Sequence, residues 1–354
     1  MTPPLGIIEG HFGKRYSWSD RSQLMQTVAG AGYTFYHYAP KGDVFLRRRW
    51  REAHPAAERE ALARFGDACR SHGVRFGVAL TPMETPYPLN GATRAHLERR
   101  VRDLDAIGID DLVILFDDLR GDVPALAERQ SRIVRICTDA TRASAIYFCP
   151  TYYSRDPVLD RVFGARPPGY LAELGNRLDP AVGVYWTGQE VVSPEIGPAH
   201  LSDVAAELGR RVCLWDNYPA NDGSRMSRFL HLRAFTGRPP GIAAHILAHA
   251  INPAQQPHLT ALPALALATN YADGPDYDYG RAFQAAAVGL FGERLAAMLA
   301  TDLASFQDVG LERLGARRDE LRKRYAALDQ PAAREIVTWL DGGYLMTDEE
   351  VRTQ

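Results

Sequence analysis

Two adjacent carboxylates, Asp117 and Asp118, follow directly on an apolar run at residues 113–116. Neighbouring residues on a regular strand point to opposite faces, so both reach one ligand only where the strand ends and the backbone turns. Carboxylates held at different depths acquire different pKa values. One can stay ionised while the other, partly desolvated, carries a proton for a leaving group. A metal site and a helix cap are the competing readings. Asp122 is placed to serve the cap, and a metal would want more histidine at strand ends. His245 and His249 are spaced i, i+4, but Ile246 and Leu247 stand where a zinc-protease motif has its glutamate, so packed histidines are expected there. His11 belongs to no H-x-H pattern, and no G-x-S-x-G elbow occurs. The residues call for neither a metal nor a cofactor.

The elements that must position these carboxylates are legible as short apolar, β-branched or aromatic runs. They fall at residues 6–9, 34–38, 75–80, 112–116, 145–149, 183–186 and 212–215, with a last one within 242–251. Their spacing, about 35 residues, is that of a strand, a helix and two loops, which predicts βα units feeding a parallel sheet. Between them, Ser19 can cap a helix whose Leu24, Val28 and Ala31 share a face, and residues 56–69 and 92–104 carry helical patterning. Gly10–His11–Phe12–Gly13 is not a dinucleotide fingerprint, and no phosphate-binding loop occurs. Eight units favour a closed (β/α)8 TIM barrel over an open sheet. Beyond Pro253 the pattern is helical only: 262–268, 282–290, 293–306, 311–327 and 332–340, with a turn at 273–275 and Pro331 opening the last helix. The expected division is a barrel over 1–270 and a C-terminal α-helical region over 271–354, the latter a packed unit or a dimer interface.

Composition narrows the partners. The 354 residues are 46% hydrophobic and 24% charged, and 41 Lys and Arg against 43 Asp and Glu leave a net charge of −2. A nucleic-acid or membrane-surface partner needs a clustered positive excess, so neither is expected. The basic run 47–49 with Arg51 reads as a solvated helix face. No signal-peptide pattern opens the chain and no run approaches the ~18 apolar residues of a membrane span. The four cysteines are far apart in apolar surroundings, which suits buried thiols in a reducing, cytoplasmic setting.

In a barrel of this kind the site lies where strands end. Those points carry Glu9 and Gly10, Lys41, Thr81, Asp117 and Asp118, Thr151 to Tyr153, Thr187, Asp216 and Asn217, and Asn252. Mostly neutral hydrogen-bonders suit a polyhydroxylated ligand better than a phosphate. Loop starts and helix caps would also use such residues, but seven or eight in register favour a site.

Seven short motifs in order carry a resemblance. They are G-I-I-E-G-H-F-G at 6–13, Y-A-P-K at 38–41 with W-R-E at 50–52, L-F-D-D at 115–118, F-C-P-T at 148–151 with Tyr153, W-T-G at 186–188, W-D-N at 215–217 with A-N-D at 220–222, and Asn252–Pro253. Over about residues 5–253 the chain resembles glycoside hydrolase family 84, the β-N-acetylglucosaminidases that include the O-GlcNAcases. The resemblance implies a retaining exo-glycosidase acting through substrate assistance, in which the sugar's acetamido oxygen attacks the anomeric carbon and gives an oxazoline. It implies that Asp117 polarises the acetamido N–H and that Asp118 is general acid, then general base. Tyr153 would bind the acetamido oxygen, Asn217 would bind near the reaction centre, and Trp215 would wall the acetamide pocket. Gly10, Lys41, Asp222 and Asn252 would hold sugar hydroxyls.

The implied partner is a GlcNAc-bearing glycoprotein or small glycoside. A hyaluronan-type endo-hexosaminidase and a catalytically silent GlcNAc-binding barrel are the alternatives. His11, Phe12, Tyr152 and Gly223 depart from the family pattern, which bears on specificity more than on chemistry. Secreted bacterial members often carry domains before the barrel. A first strand at about residue 5 followed later by helices is closer to the intracellular, protein-directed type.

Overall fold

The computed structural model describes residues 2–354. Eight parallel strands close into one barrel in sequence order: β1 (Leu5–Glu9), β2 (Tyr33–Tyr38), β3 (Arg75–Leu80), β4 (Asp111–Leu115), β5 (Ala145–Cys149), β6 (Gly183–Trp186), β7 (Val212–Asp216) and β8 (Ile246–Ile251). β8 returns to β1 through the pairs Leu5–His249, Gly6–Ala250 and Ile7–Ile251. The strands match the expected runs to within a residue or two. β1, β4, β6 and β7 are buried along their whole length, as a sheet covered on both faces requires. The chain is therefore an α/β (β/α)8 barrel followed by helices.

The covering helices are α1 (Trp18–Gly30), α2 (Ala56–Ser71), α3 (Gly91–Asp105), α4 (Leu126–Ala140), α5 (Pro157–Phe163), α6 (Tyr170–Arg177), α7 (Pro198–Leu208) and α8 (Pro257–Asp273). Two capping expectations are corrected. Ser17, not Ser19, caps α1, its side chain accepting from the Asp20 N–H; Ser19 already lies in the first turn. Asp122 caps nothing: α4 begins after Ala125, and Asp122 instead pairs with Arg120 across two residues.

Past α8 a second apolar core forms from α9 (Tyr279–Ala304), α10 (Arg317–Ala326) and α11 (Pro331–Leu340), around Leu299, Phe306, Leu321, Ile336 and Trp339. Gly292, at φ 76°, breaks α9 into the two stretches expected at 282–290 and 293–306. The stretch expected as one helix at 311–327 is a short turn at Leu311–Arg313 and then α10, with Gly315 at φ 54° between them. A last helix, α12 (Asp348–Thr353), had no apolar periodicity to announce it.

One composition reading also needs correction. The segment Tyr279–Val309, 31 residues with an 18-residue stretch of mean hydropathy 1.2, is long and apolar enough to cross a membrane by length and composition. Its apolarity has a local use, since Ala282, Phe283, Ala287, Leu295, Ala296 and Leu299 are buried in the second core.

Helix α8 belongs to both cores: Ala261, Ala264 and Leu267 face the barrel, while Leu259, Leu262 and Ala266 face the added helices. Its N-terminus lacks a side-chain cap of its own. Glu335 of α11 supplies one, accepting from the His258 and Leu259 N–H groups at 3.0 and 2.9 Å. Asp302 anchors the second core, accepting from Arg317, Arg324 and the Tyr325 hydroxyl at 3.2, 3.2 and 3.0 Å. Asp302→Ala strands that buried hydroxyl and should cost about 2 kcal/mol, read as a lower urea midpoint. An unchanged midpoint would mean the two arginines and the tyrosine are satisfied without it.

Candidate active site

The nine residues singled out from the sequence converge on one pocket of about 200 Å³ at the ends of the strands. Its centre is the carboxylate pair. β4 ends at Leu115; Phe116 still pairs with β5 by donating its N–H to the Cys149 carbonyl, and the Thr151 hydroxyl closes on the Phe116 carbonyl. The backbone then turns sharply, with Asp118 at φ 61°. A left-handed aspartate is uncommon and is tolerated better than most residues there. That turn lets consecutive carboxylates face the same ligand.

The two aspartates differ in depth: the Asp117 side chain is 6% exposed and that of Asp118 is 25% exposed. Lys41, delivered from the end of β2 and itself buried, binds Asp117 Oδ2 through Nζ and lies 3.2 Å from Asp118 Oδ2. Burial pushes the Asp117 carboxyl up, the Lys41 ammonium opposes that, and the Asp118 charge adds to it. Asp117 Oδ1 is buried with no protein partner, an acceptor left for something else. The Tyr153 hydroxyl, 3.4 Å from Asp118 Oδ1, is driven up first by burial and then by that neighbour, so it stays a donor. Cys149 also lines the pocket, but burial pushes its thiol well up, which leaves it inert as a nucleophile.

The opposite wall is a fixed amide lattice. Asn252 Oδ1 accepts the Gly10 N–H at 3.1 Å, and its Nδ2 donates to Asn217 Oδ1 at 2.9 Å. The same Asn217 oxygen accepts from Trp215 Nε1 at 2.9 Å, while Asn217 Nδ2 donates to the Val191 carbonyl at 2.8 Å. Gly10 must be glycine here, because a Cβ would sit 2.3 Å from the Trp215 ring. Behind this lattice Arg238 binds both oxygens of Asp216, at 2.7 and 2.8 Å, and donates to the Ser193 and Pro194 carbonyls. It thereby ties β7 to the loop that carries Val191. His249 donates or accepts between Asp216 and the Tyr271 hydroxyl, whereas His245 bonds Ser202, so the two histidines share no site. Asp222 completes the wall; its Oδ2 accepts the Phe12 N–H at 2.7 Å, and burial pushes its carboxyl up.

Some lining residues carried no sequence signal. Val191, Val192, Met226 and Val351 are apolar rim residues from loops and from α12. Phe12 and Gly223 do line the pocket, but Tyr152 does not: it is buried beneath a loop, bonded to the Gly164 carbonyl at 2.6 Å. The basic run is also corrected. Residues 47–50 form a turn after a short 3-10 turn (Val44–Leu46), and Arg47 is buried 5.8 Å from the Phe12 ring while Arg48 and Arg49 are exposed.

Because Lys41 opposes the effect of burial, Lys41→Met should raise the pH at which Asp117 ionises. Carboxyl-carbon NMR titration reads this as an upward shift of the Asp117 midpoint. A midpoint that stays or falls would show that Lys41 does not support the charge.

Residues 5–304 match the beta-N-acetylglucosaminidase family. Over 234 residues the chain is 29% identical to the protein O-GlcNAcases of Mus musculus and of Rattus norvegicus, covering 64% of this chain and 25% of each of those. The chain thus spans about a quarter of the length of these relatives. An aspartate-to-asparagine variant of the Thermobaculum terrenum O-GlcNAc hydrolase superposes with a TM-score of 0.80 at 27% identity, covering 99% of this chain and 83% of that one. With a family match over most of its length on a closed (β/α)8 barrel, the chain belongs to the beta-N-acetylglucosaminidase family, a family of glycoside hydrolases.

Proposed function

We propose that the protein is a retaining exo-β-N-acetylglucosaminidase that works by substrate assistance and removes single O-linked GlcNAc units from proteins or small glycosides. The observation that carries this reading is the buried, unpartnered Asp117 Oδ1 beside a more exposed Asp118. A deep acceptor with nothing to accept suits the acetamido N–H, which becomes more acidic as the acetamide oxygen attacks C1. The shallower carboxyl then gives its proton to the departing glycosidic oxygen. Asp118 next takes a proton from water as that water opens the oxazoline at C1, so configuration is retained overall. Neither carboxylate bonds to the sugar, which is why adjacency replaces the separation seen in two-carboxylate enzymes.

Lys41 favours the ionised form of Asp117 against the burial that disfavours it, which supports its use as an acceptor. In this reading the Tyr153 hydroxyl donates to the acetamido oxygen and holds it toward C1, which removes entropy before the reaction. The Trp215–Asn217–Asn252–Gly10 lattice offers a flat apolar face and fixed amides to a sugar ring, and Asp222 offers a carboxylate to its hydroxyls. A pocket of about 200 Å³ suits a single terminal sugar. The names of the relatives support GlcNAc on protein as the natural target.

Hydrolysis of aryl β-GlcNAc glycosides tests the assignment. Asp118→Asn should lower kcat about 10²–10⁴-fold on poor leaving groups and less on good ones, because only poor ones need the proton. The matching aryl glucoside, which lacks the acetamide, should not turn over. NMR of the first-formed product should show the β-anomer. A glucoside cleaved as fast as the GlcNAc glycoside, or an α-product, would overturn substrate assistance.

A further inference from the structure

Lys41 reaches Asp117 from a tight turn. The Asp43 N–H donates to the Pro40 carbonyl at 3.0 Å, which makes Pro40 to Asp43 one β-turn with Lys41 and Gly42 at its centre. β2 ends at Tyr38, so the barrel fixes the near end of this turn. The far end is Asp43. Beyond it the loop has ties of its own: the Leu46 carbonyl accepts from the Thr81 N–H at 2.8 Å, and Trp50 Nε1 donates to the Met83 carbonyl at 2.9 Å.

Asp43 is held by a chain of buried polar groups. Its Oδ1 accepts the Phe45 N–H at 3.0 Å. Its Oδ2 accepts the Tyr38 hydroxyl at 2.8 Å and His54 Nε2 at 3.1 Å, with the Arg15 guanidinium 3.9 Å away. His54 Nδ1 accepts in turn from Nη2 of Arg100, on α3, at 3.0 Å. A guanidinium offers no acceptor, so Nδ1 carries the lone pair and Nε2 the proton. One tautomer therefore links α3 to the turn, and Asp43, His54 and Arg100 are all buried.

This arrangement is costly. Burial works against the Asp43 charge, yet the His54 N–H and the Arg15 guanidinium outweigh it and hold the carboxyl below its usual range. Burial pushes the Arg100 guanidinium down to about 10, and its Nε and Nη1 have no hydrogen-bond partner among the described residues. An apolar trio would fill the same space without these costs. What it would lack is a fixed span between α3 and the turn. We infer that His54 is a positioning residue for Lys41: bonded on one side to Arg100 and on the other to Asp43, it sets the turn that aims the ammonium at Asp117. The inference stands on the geometry of these residues, and its bearing on turnover rests on the proposed glycosidase reading.

Carboxyl-carbon NMR titration of Asp117 in the full-length protein reads the hold of the ammonium directly. A glutamine amide spans both partners as the imidazole does, its oxygen toward Arg100 and its NH2 toward Asp43, whereas the shorter asparagine reaches only one. His54→Asn should raise the Asp117 midpoint by about half a pH unit or more, and His54→Gln should keep it at the wild-type value. In a Lys41→Met background His54→Asn should add nothing, because its effect runs through Lys41. Asp43→Asn breaks the same link from the other side; it should reproduce the rise, and it serves if His54→Asn does not fold. An unchanged midpoint in folded variants would overturn the inference. So would a His54→Gln midpoint as high as that of His54→Asn, or a rise of full size in the absence of Lys41. On an aryl β-GlcNAc glycoside His54→Asn should lose about tenfold in kcat/KM and His54→Gln little. A wild type that leaves the glycoside intact while the midpoints move as stated would sink the glycosidase reading and leave the role of His54 standing.

Discussion

A carboxylate sealed in the end of a barrel is tolerated only if something replaces the water it has lost, and that constraint governs the whole upper face of this protein. Three buried acids at strand ends are each answered by a cation from another element. Glu9 receives both its oxygens' bonds from Arg21 of α1, at 2.7 Å each, Asp117 receives Lys41 from the end of β2, and Asp216 receives Arg238 from the segment before β8. Leaving such a charge unpaired is strongly destabilising, whereas the pair roughly breaks even against an apolar substitute. The pairs thus contribute less to stability than to geometry. Glu9 fixes the strand before Gly10, and Asp216 fixes the residue between Trp215 and Asn217. Of the three acids Asp117 alone lines the strand-end pocket, and it alone has a carboxylate oxygen left over.

The same constraint separates what could be read along the chain from what could not. The strands were legible because a sheet buried on both faces writes itself as continuous apolar runs, and the barrel followed from their number and spacing. The site was legible to the extent that it sits at the ends of those strands: Gly10, Lys41, Asp117, Asp118, Tyr153, Asn217 and Asn252 all follow a strand by a few residues at most. Asp222 stands farther on and was reached only through the family resemblance. Val351 and Arg47 were not reachable. Each is placed by pairing between segments some 300 residues apart, and no local pattern encodes that. Arg47 was misread for the same reason, since a triple arginine looks solvated when its one buried member has its partner at the far end of the sequence.

The added helices are more than an appendage in mechanical terms. Helix α8 shows its two faces to two cores, so the barrel's last helix is also the first of the second bundle. Glu335 and the Gln255–Tyr344 bond repeat the connection at polar points. Gln255 itself follows β8 closely and also donates to the Asn221 carbonyl, next to Asp222. Packing in the second bundle is therefore linked to the Asp222 side of the pocket through a short run of hydrogen bonds.

The left-handed backbone at Asp118 also has a consequence for descent. That conformation is open to asparagine and glycine at little cost and penalises other side chains through the backbone alone. A lineage that lost the carboxyl at this position while keeping a sound barrel would pass through Asn or Gly far more readily than through Ala or Val. The residue found there in a distant copy thus carries a record: asparagine or glycine marks a turn retained after the carboxyl was given up, while a β-branched residue marks a turn that has itself been rebuilt.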